Sequence, residues 1–420
     1  MSLESLYHIQ NKMFTTTTKI DIPNLLIDIL IKLQENGYRP YLVGGCVRDF
    51  FLNKQIKDFD IEVFNLEFLE NIIPLLEKFG NVNCVGKSFG VLKLSTKNFE
   101  FDFSLPRTEQ KIGKTHKDFI VKTYSKLSFE DAARRRDFTI NAISYDYFTN
   151  SFIDPFNGIN DLKNKKIKHI DDKTFVEDSL RVYRAIGFSS RFDFEIDSKT
   201  KELCIQIIKN KELEFLPKER IFEELKKIFL KSLNPSIGLK LIDDFELFSI
   251  NFRNKYKSID NLANFLRDTD FPDFKKLYLF FATLLKGIDE NRILDFLNGI
   301  TNDKKFISTI LLLSGNSTNL NEIFLKNLSL ILSLEELILI EKALEKSDIL
   351  EVEKLAKKLD VFDKPLKIFV KGKDLINLGF KESIEFKKIL DESLILQIEK
   401  GLNKEQIIEN IIERYKIKSI

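Results

Sequence analysis

The chain has 420 residues, of which 43% are hydrophobic and 31% charged, a composition that excludes a disordered or collagen-like polymer and suits two to four compact units. Its 66 Lys and Arg against 64 Asp and Glu leave a net charge of only +2, so any contact with nucleic acid must come from local clusters. No apolar run is long enough to span a bilayer, and Cys46, Cys84 and Cys204 lie too far apart for metal-ligand spacing, so they read as ordinary buried thiols.

The N-terminal stretch through Lys19 lacks a basic start and a long apolar segment, so no signal peptide is expected and the cytoplasm is the expected compartment. From Ile22 to Gly37 apolar residues recur at helical spacing, and Gly37 is placed to stop the helix. A strand is predicted at Tyr41–Val43, then helix at Cys46–Leu52, strand at Asp60–Phe64 and helix at Leu66–Lys78. Further strands are predicted at Asn81–Val85, Val91–Ser95 and Phe99–Leu105, with Gly86, Gly90 and Asn98 as punctuation. After about Asp154 strand signals fade and helical periodicity continues, in runs such as Ser179–Phe192, Glu219–Lys231, Phe274–Leu285, Leu334–Leu344 and Glu405–Tyr415. The expected class is therefore α+β. A mixed-sheet head spans residues 1–150, a helical neck 151–270, and an all-helical body and tail 271–420.

The segment YLVGGCVRDFFLNKQIKDFDIEVF, Tyr41–Phe64, reads strand, Gly-Gly turn, short helix, loop and a second strand opening on Asp58-Phe59-Asp60. Aspartates two apart on an extended chain point to one face, so Asp58 and Asp60 can share metal ions. Two carboxylates bridging a pair of Mg²⁺ ions suit in-line phosphoryl or nucleotidyl transfer. Gly44 and Gly45, lacking Cβ, let the backbone approach a triphosphate, and Arg48 can add charge-assisted bonds.

This block resembles the head of the class II tRNA nucleotidyltransferase and poly(A) polymerase family, within the DNA polymerase beta superfamily. By that resemblance Asp58 and Asp60 bind the metals, and Gly45 and Arg48 contact the nucleotide. The superfamily usually supplies a third carboxylate. In FEFDFSLPRTEQK alternation places Glu100 and Asp102 on one face, and the following RTE favours Asp102. The segment RRDFTINA matches a second family motif, implying that Arg136 contacts the incoming nucleotide and that Asp137 lies near its ribose.

In VEDSLRVYRAIGFSSRF, Asp178, Arg181 and Arg184 follow at spacings of three, so a helix would project all of them from one side. Cytosine and adenine each present an amino donor beside a ring-nitrogen acceptor, whereas uracil and guanine present a carbonyl and a ring N–H. An aspartate that accepts and an arginine that donates therefore fit C or A. The stretch matches the family's EDxxR motif, which implies base selection by Asp178 and Arg181, while Arg184 binds triphosphate or braces the base edge. Many relatives carry a further arginine where this chain has Gly187, and Arg191 is the nearest substitute for that phosphate contact. In LPKERIFEELKKIFL, Glu219 and Arg220 match residues that brace helices near the site. None of His8, His116 and His169 sits in a His-Asp dipeptide, so the phosphohydrolase activity of some relatives is not expected.

The resemblance implies a nucleotidyltransferase that adds CMP and AMP, from CTP and ATP, to the 3′ end of tRNA with two Mg²⁺ ions. A CC-only or A-only enzyme, a poly(A) polymerase, or a catalytically silent RNA-binding protein of the same fold are the alternatives. DNA and membrane are not expected partners.

Overall fold

Residues 19–56, 58–85, 90–111, 119–123, 127–380 and 384–415 are described by the computed structural model. Two units emerge, Met1–Ser232 with Lys240–Leu247, and Leu233–Leu239 with Phe248–Ile420. In the first, helix α1 (Asn24–Glu35) follows Pro23, whose fixed φ suits a helix start, and ends before Gly37 at φ 83°. Its Leu26, Ile29, Leu30 and Leu33 are buried at the predicted spacing, each contributing about 2 kcal/mol of apolar burial before entropic costs.

Strand β1 (Arg39–Val43), helix α2 (Gly45–Phe51) and strand β2 (Phe59–Phe64) realise the predicted strand–turn–helix–strand unit. They join β3 (Asn81–Val85), β4 (Val91–Ser95), β5 (Glu100–Ser104), β8 (Ser144–Asp146) and β9 (Ser151–Ile153) in one sheet of order β3-β4-β5-β2-β1-β8-β9. β2 and β5 run parallel and the other pairs antiparallel. On one side, Tyr41, Val43 and Phe64 pack with Ala132 of helix α4 (Phe129–Arg134), and Phe129 meets the Tyr41 ring edge-on at 4.6 Å. Ser128 caps α4 by accepting from the Asp131 N–H.

Several elements differ from expectation. The predicted Leu66–Lys78 helix is a 3₁₀ turn (Leu69–Ile72) running into one turn of α-helix, α3 (Ile73–Leu76), because Pro74 brings no N–H and crowds the preceding turn. The hairpin of β6 (Arg107–Lys111) and β7 (Phe119–Thr123), together with β8 and β9, was not legible. Three-residue strands such as β8 and β9 are too short to display alternation. Strand structure also persists past Asp154: after helix α5 (Gly158–Lys163), β10 (Lys166–Ile167) pairs in parallel with β11 (Glu195–Ile196).

Helix α6 (Asp172–Glu177) is capped by Asp171, and α7 spans Arg181–Phe192, followed by α8 (Ser198–Lys209) and α9 (Lys218–Lys231). The expectation that Asp178 stands on the same helix as Arg181 is corrected here. Asp178 is extended at φ −117° and ψ 99°, closing α6, and its own carboxylate accepts from the Leu180 N–H at 3.2 Å. Such local side-chain bonds favour turns over helix interiors.

The second unit is helical. Asp273–Leu285, Leu334–Ala343 and Lys404–Tyr415 match predicted runs within a few residues. Asp289, Asp303, Asn321 and Ser333 accept backbone N–H groups at four of its helix starts. Val370, Leu375, Ile389, Ile407 and Ile411 form a buried cluster near its C-terminal end. No helix among the described residues is long and apolar enough to cross a membrane. Cys46 and Cys204 are buried free thiols, and burial pushes both up to about 12; the side chain of Cys84 lies outside what is described.

Candidate active site

Parallel pairing of β2 with β5 sets Asp60 directly opposite Asp102, and β1 places Val43, just before the glycine turn, opposite Asp60. Asp58 precedes β2 on an exposed stretch and acts electrostatically on both other acids. Although Asp60 is open to the cleft, the surrounding protein withholds enough water to raise its pKa; Asp102 and Asp58 push the same way, while Arg136 and Arg48 oppose them. Burial likewise raises Asp102, with Lys93 opposing. One Asp102 oxygen is buried without a hydrogen bond, and its nearest cation, Lys93, stands off at 3.8 Å.

These acids fit a divalent cation: they repel one another, are partly desolvated and leave an oxygen unsatisfied. Among the described residues no group of three or more His, Cys, Asp or Glu is arranged to hold a metal ion by itself. Mg²⁺ suits such an open set, since it is usually held by one or two carboxylates plus water and phosphate oxygens.

A cleft of about 390 Å³ is lined by Gly44, Gly45, Arg48, Asp60, Arg107, Arg135, Arg136, Asp137, Asn141, Asp178, Arg181, Arg184 and Phe188. A larger cavity of about 740 Å³ around Asn24, Phe50, Phe59 and Phe99 has Asp21 as the one carboxylate among its described lining residues, so the chemistry lies in the smaller space. Gly44 caps α2 with φ 70° and ψ −121°, a region closed to residues with a Cβ. A Cβ there would also come within 2.7 Å of an Arg136 guanidinium nitrogen. The first glycine therefore makes room for an arginine as well as a turn.

Arg136 donates to the Asn141 carbonyl at 3.2 Å and lies 3.8 Å from Glu62, a buried acid that also holds Arg135 at 3.0 Å. Asn141 links two halves of the cleft: its amide oxygen accepts from Arg48 at 2.6 Å and its amide nitrogen donates to Asp137 at 2.9 Å. The other Asp137 oxygen holds Arg184 at 2.5 and 2.7 Å. Burial alone would raise Asp137, but Arg184, Asn141 and Arg181 hold it below the usual carboxylate range. Arg48 and Arg184 both lie over the Phe188 ring, at 5.5 and 5.3 Å.

Arg181 donates to the Thr174 and Arg135 carbonyls, both at 2.7 Å, which fixes its guanidinium plane. Asp178 faces the same cleft, anchored by the Leu180 N–H and, at 3.5 Å, by Arg220. The two reach one space from different elements.

Residues 40–168 match the family model described as the poly(A) polymerase head domain, and residues 193–254 match the probable RNA and SrmB-binding site of polymerase A. The motif-bearing region at residues 40–168 is thus similar to the poly(A) polymerase head domain. This is the family to which the motifs pointed. The multifunctional CCA protein of Stenotrophomonas maltophilia is 36% identical over 207 residues, 49% of this chain and 48% of the relative. The CCA-adding enzyme of Buchnera aphidicola from Acyrthosiphon pisum is 37% identical over 237 residues, 56% of this chain and 54% of the relative. The match thus spans about half the length of these curated relatives. The fold likeness extends further. The Bacillus stearothermophilus CCA-adding enzyme in complex with CTP aligns with a TM-score of 0.70 at 21% identity, covering 94% of this chain and 98% of that one. The Thermotoga maritima enzyme complexed with tRNA aligns at 0.66 and 21%, covering 94% and 97%.

The motif residues Gly44, Gly45, Arg48, Asp60, Arg136, Asp137, Asp178, Arg181 and Arg184 all line one cleft, with Asp58 just before β2 and Asp102 opposite Asp60 on β5. Glu62, Asn141, Arg107 and Phe188 were not singled out from sequence, although Asn141 lies inside the RRDFTINA segment.

Two expectations follow from the geometry. Gly44→Ala should raise the KM for nucleotide about tenfold or more, since backbone strain on the order of 1–3 kcal/mol adds to displacement of Arg136; nucleotide titration of the folded variant measures it, and an unchanged KM would contradict the packing role. The second concerns acid. Because the folded pKa of Asp137 is lowered, its ion pair contributes stability that is complete above the unfolded carboxylate value, about 3.9, and is lost only as pH falls through the lower folded value. The Tm difference between wild type and Asp137→Asn should therefore hold from pH 7 to about 4 and shrink below that. A difference that collapses between pH 7 and 5 would assign it to another group.

Proposed function

We propose that the protein is a template-independent nucleotidyltransferase that adds CMP and AMP, from CTP and ATP, to the 3′ end of tRNA. The observation that carries this reading is the placement of Asp60 beside Asp102 at the mouth of the Gly44 turn, in the same cleft as Asp178 and Arg181. Relatives and fold neighbours that carry the CCA-adding name support it over poly(A) addition.

Asp58 and Asp60, with Asp102 alongside, would hold Mg²⁺, which when bound lowers the pKa of an attacking hydroxyl and offsets the charge of a leaving pyrophosphate. The chain's own residues position the reactants. Gly44 and Gly45 admit the triphosphate to backbone N–H groups, and Arg48 and Arg136 place positive charge beside it. The RNA 3′-oxygen forms a bond to the α-phosphorus as the bond from that phosphorus to the bridging oxygen breaks, releasing pyrophosphate. Asp178 accepts the exocyclic amino group of C or A, and Arg181, its plane fixed by two carbonyls, donates to the neighbouring ring nitrogen. Arg184, gripped by Asp137, braces the base-reading edge rather than reaching for phosphate.

Purified protein given tRNAs ending before CCA, after C and after CC, with CTP and ATP supplied separately, tests the reading. Extension of all three by the appropriate nucleotide supports complete CCA addition. Extension of only some would assign CC or A addition, a long A tail would assign poly(A) synthesis, and no extension would leave a silent RNA-binding protein.

A further inference from the structure

A second cavity, of about 240 Å³, adjoins the nucleotide cleft and shares Arg48, Arg184 and Phe188 with it. Beyond that shared wall it is lined by Gly187, Arg191, Glu224, Lys227 and Lys231, from α7 and α9. Gly187 keeps the space open. A Cβ built on this helical glycine would meet only Glu224 Oε2, at 3.8 Å, so a longer side chain would fit the backbone and occupy the cavity.

Positive charge in this region is poorly balanced. Asp49 is held by Arg48 at 2.7 Å and shared loosely with Arg191 at 3.6 Å, and Lys54 lies near both. All three cations stand over the Phe192 ring, at 4.9 Å for Arg48, 4.5 Å for Lys54 and 5.0 Å for Arg191. Burial, with the other cations adding to it, pushes Lys54 down to about 8 and lowers Arg191 as well. Glu224 does not reverse this balance, because Lys227 holds its Oε1 at 2.8 Å and Arg184 stands 3.8 Å away. A polyanion would relieve the crowding, and a guanidinium fork matches phosphate geometry.

We propose that this cavity is a phosphate subsite, continuous with the nucleotide cleft, in which Arg191 and Lys231 bind a phosphate group of one of the reaction's own participants. The inference rests on the nucleotidyl-transfer reading and deepens it. Two sources share that chemistry: a backbone phosphate near the RNA 3′ end, and the released pyrophosphate.

The test uses the full chain and three variants. Gly187→Met fills the cavity and favours the helix, while Arg191→Gln and Lys231→Gln remove charge without filling it. Binding of inorganic pyrophosphate by calorimetry and of tRNA at several salt concentrations is measured for each, beside Tm and the KM for CTP. An RNA phosphate predicts that tRNA binding weakens about tenfold and its log–log salt slope falls by about one, with inorganic pyrophosphate binding held within about twofold. Pyrophosphate predicts instead that inorganic pyrophosphate binds about tenfold more weakly while tRNA binding holds. Either result supports the subsite. If both affinities stay within about twofold of wild type in Arg191→Gln and Lys231→Gln, the subsite is overturned, whatever Gly187→Met does to folding. Binding is read without turnover, so failure of the wild type to extend tRNA would refute the proposed reaction while the subsite is still decided.

Discussion

Replacing Asp58 or Asp60 with alanine is expected to cut nucleotide incorporation by about 10³-fold or more, a loss of at least about 4 kcal/mol of transition-state stabilisation. The expectation comes from electrostatics. Asp60, Asp102 and Asp58 push negative charge into one partly desolvated corner, an arrangement that costs the metal-free chain and is relieved by a bound cation. Single-turnover incorporation at saturating Mg²⁺ measures the loss. A second readout separates chemistry from folding: Asp60→Asn should melt no lower than wild type without metal, because it removes a charge that burial disfavours, and should gain less Tm on Mg²⁺ addition. Turnover within tenfold of wild type in both alanine variants would rule out the proposed metal site.

Asp178→Ala should relax base choice far more than it weakens RNA binding. An acceptor matched to an amino group and shielded from water by the bound base rejects a carbonyl strongly, because the mismatched pair leaves both partners unsatisfied; sites of this kind discriminate by about 10⁴–10⁵ at best. Loss of the single acceptor should therefore lower the preference for CTP over UTP by about 10²-fold, with Kd for tRNA within about twofold. Arg220 stands 3.5 Å from Asp178, so Arg220→Gln should give a smaller loss of the same kind. Competition assays with paired nucleotides decide it. Unchanged CTP/UTP discrimination in Asp178→Ala would refute the edge-reading role.

Much of the head was legible because its signals are local. The burial of α1 follows from a 3.6-residue period, whereas Asp58, expected to share a strand face with Asp60, lies just before β2. The resemblance favoured Asp102 as the third acid, and only pairing shows where it stands. Glu100 and Asp102 are equivalent by alternation, and it is the parallel register of β2 with β5 that sets Asp102 beside Asp60, while Glu100 pairs with Lys93 at 3.1 Å. The proposed base-reading pair was legible in composition but not in shape: spacing of three suggested one helix face, yet Asp178 spends its carboxylate on the turn before α7 and meets Arg181 from outside it.

What the sequence by itself determined was the inventory and its local presentation: acids two residues apart, glycines at a turn, arginines in ordered motifs, and the family those motifs resemble. Tertiary structure alone decided the partnerships. Asn141 ties Arg48 to Asp137, Asp137 grips Arg184, and Gly44 yields its Cβ volume to Arg136 across more than 90 residues of chain. The physical reason is range. Periodicity and capping act over a few residues, whereas charges and hydrogen bonds in a desolvated cleft are satisfied by whichever groups the folded chain brings within about 3 Å.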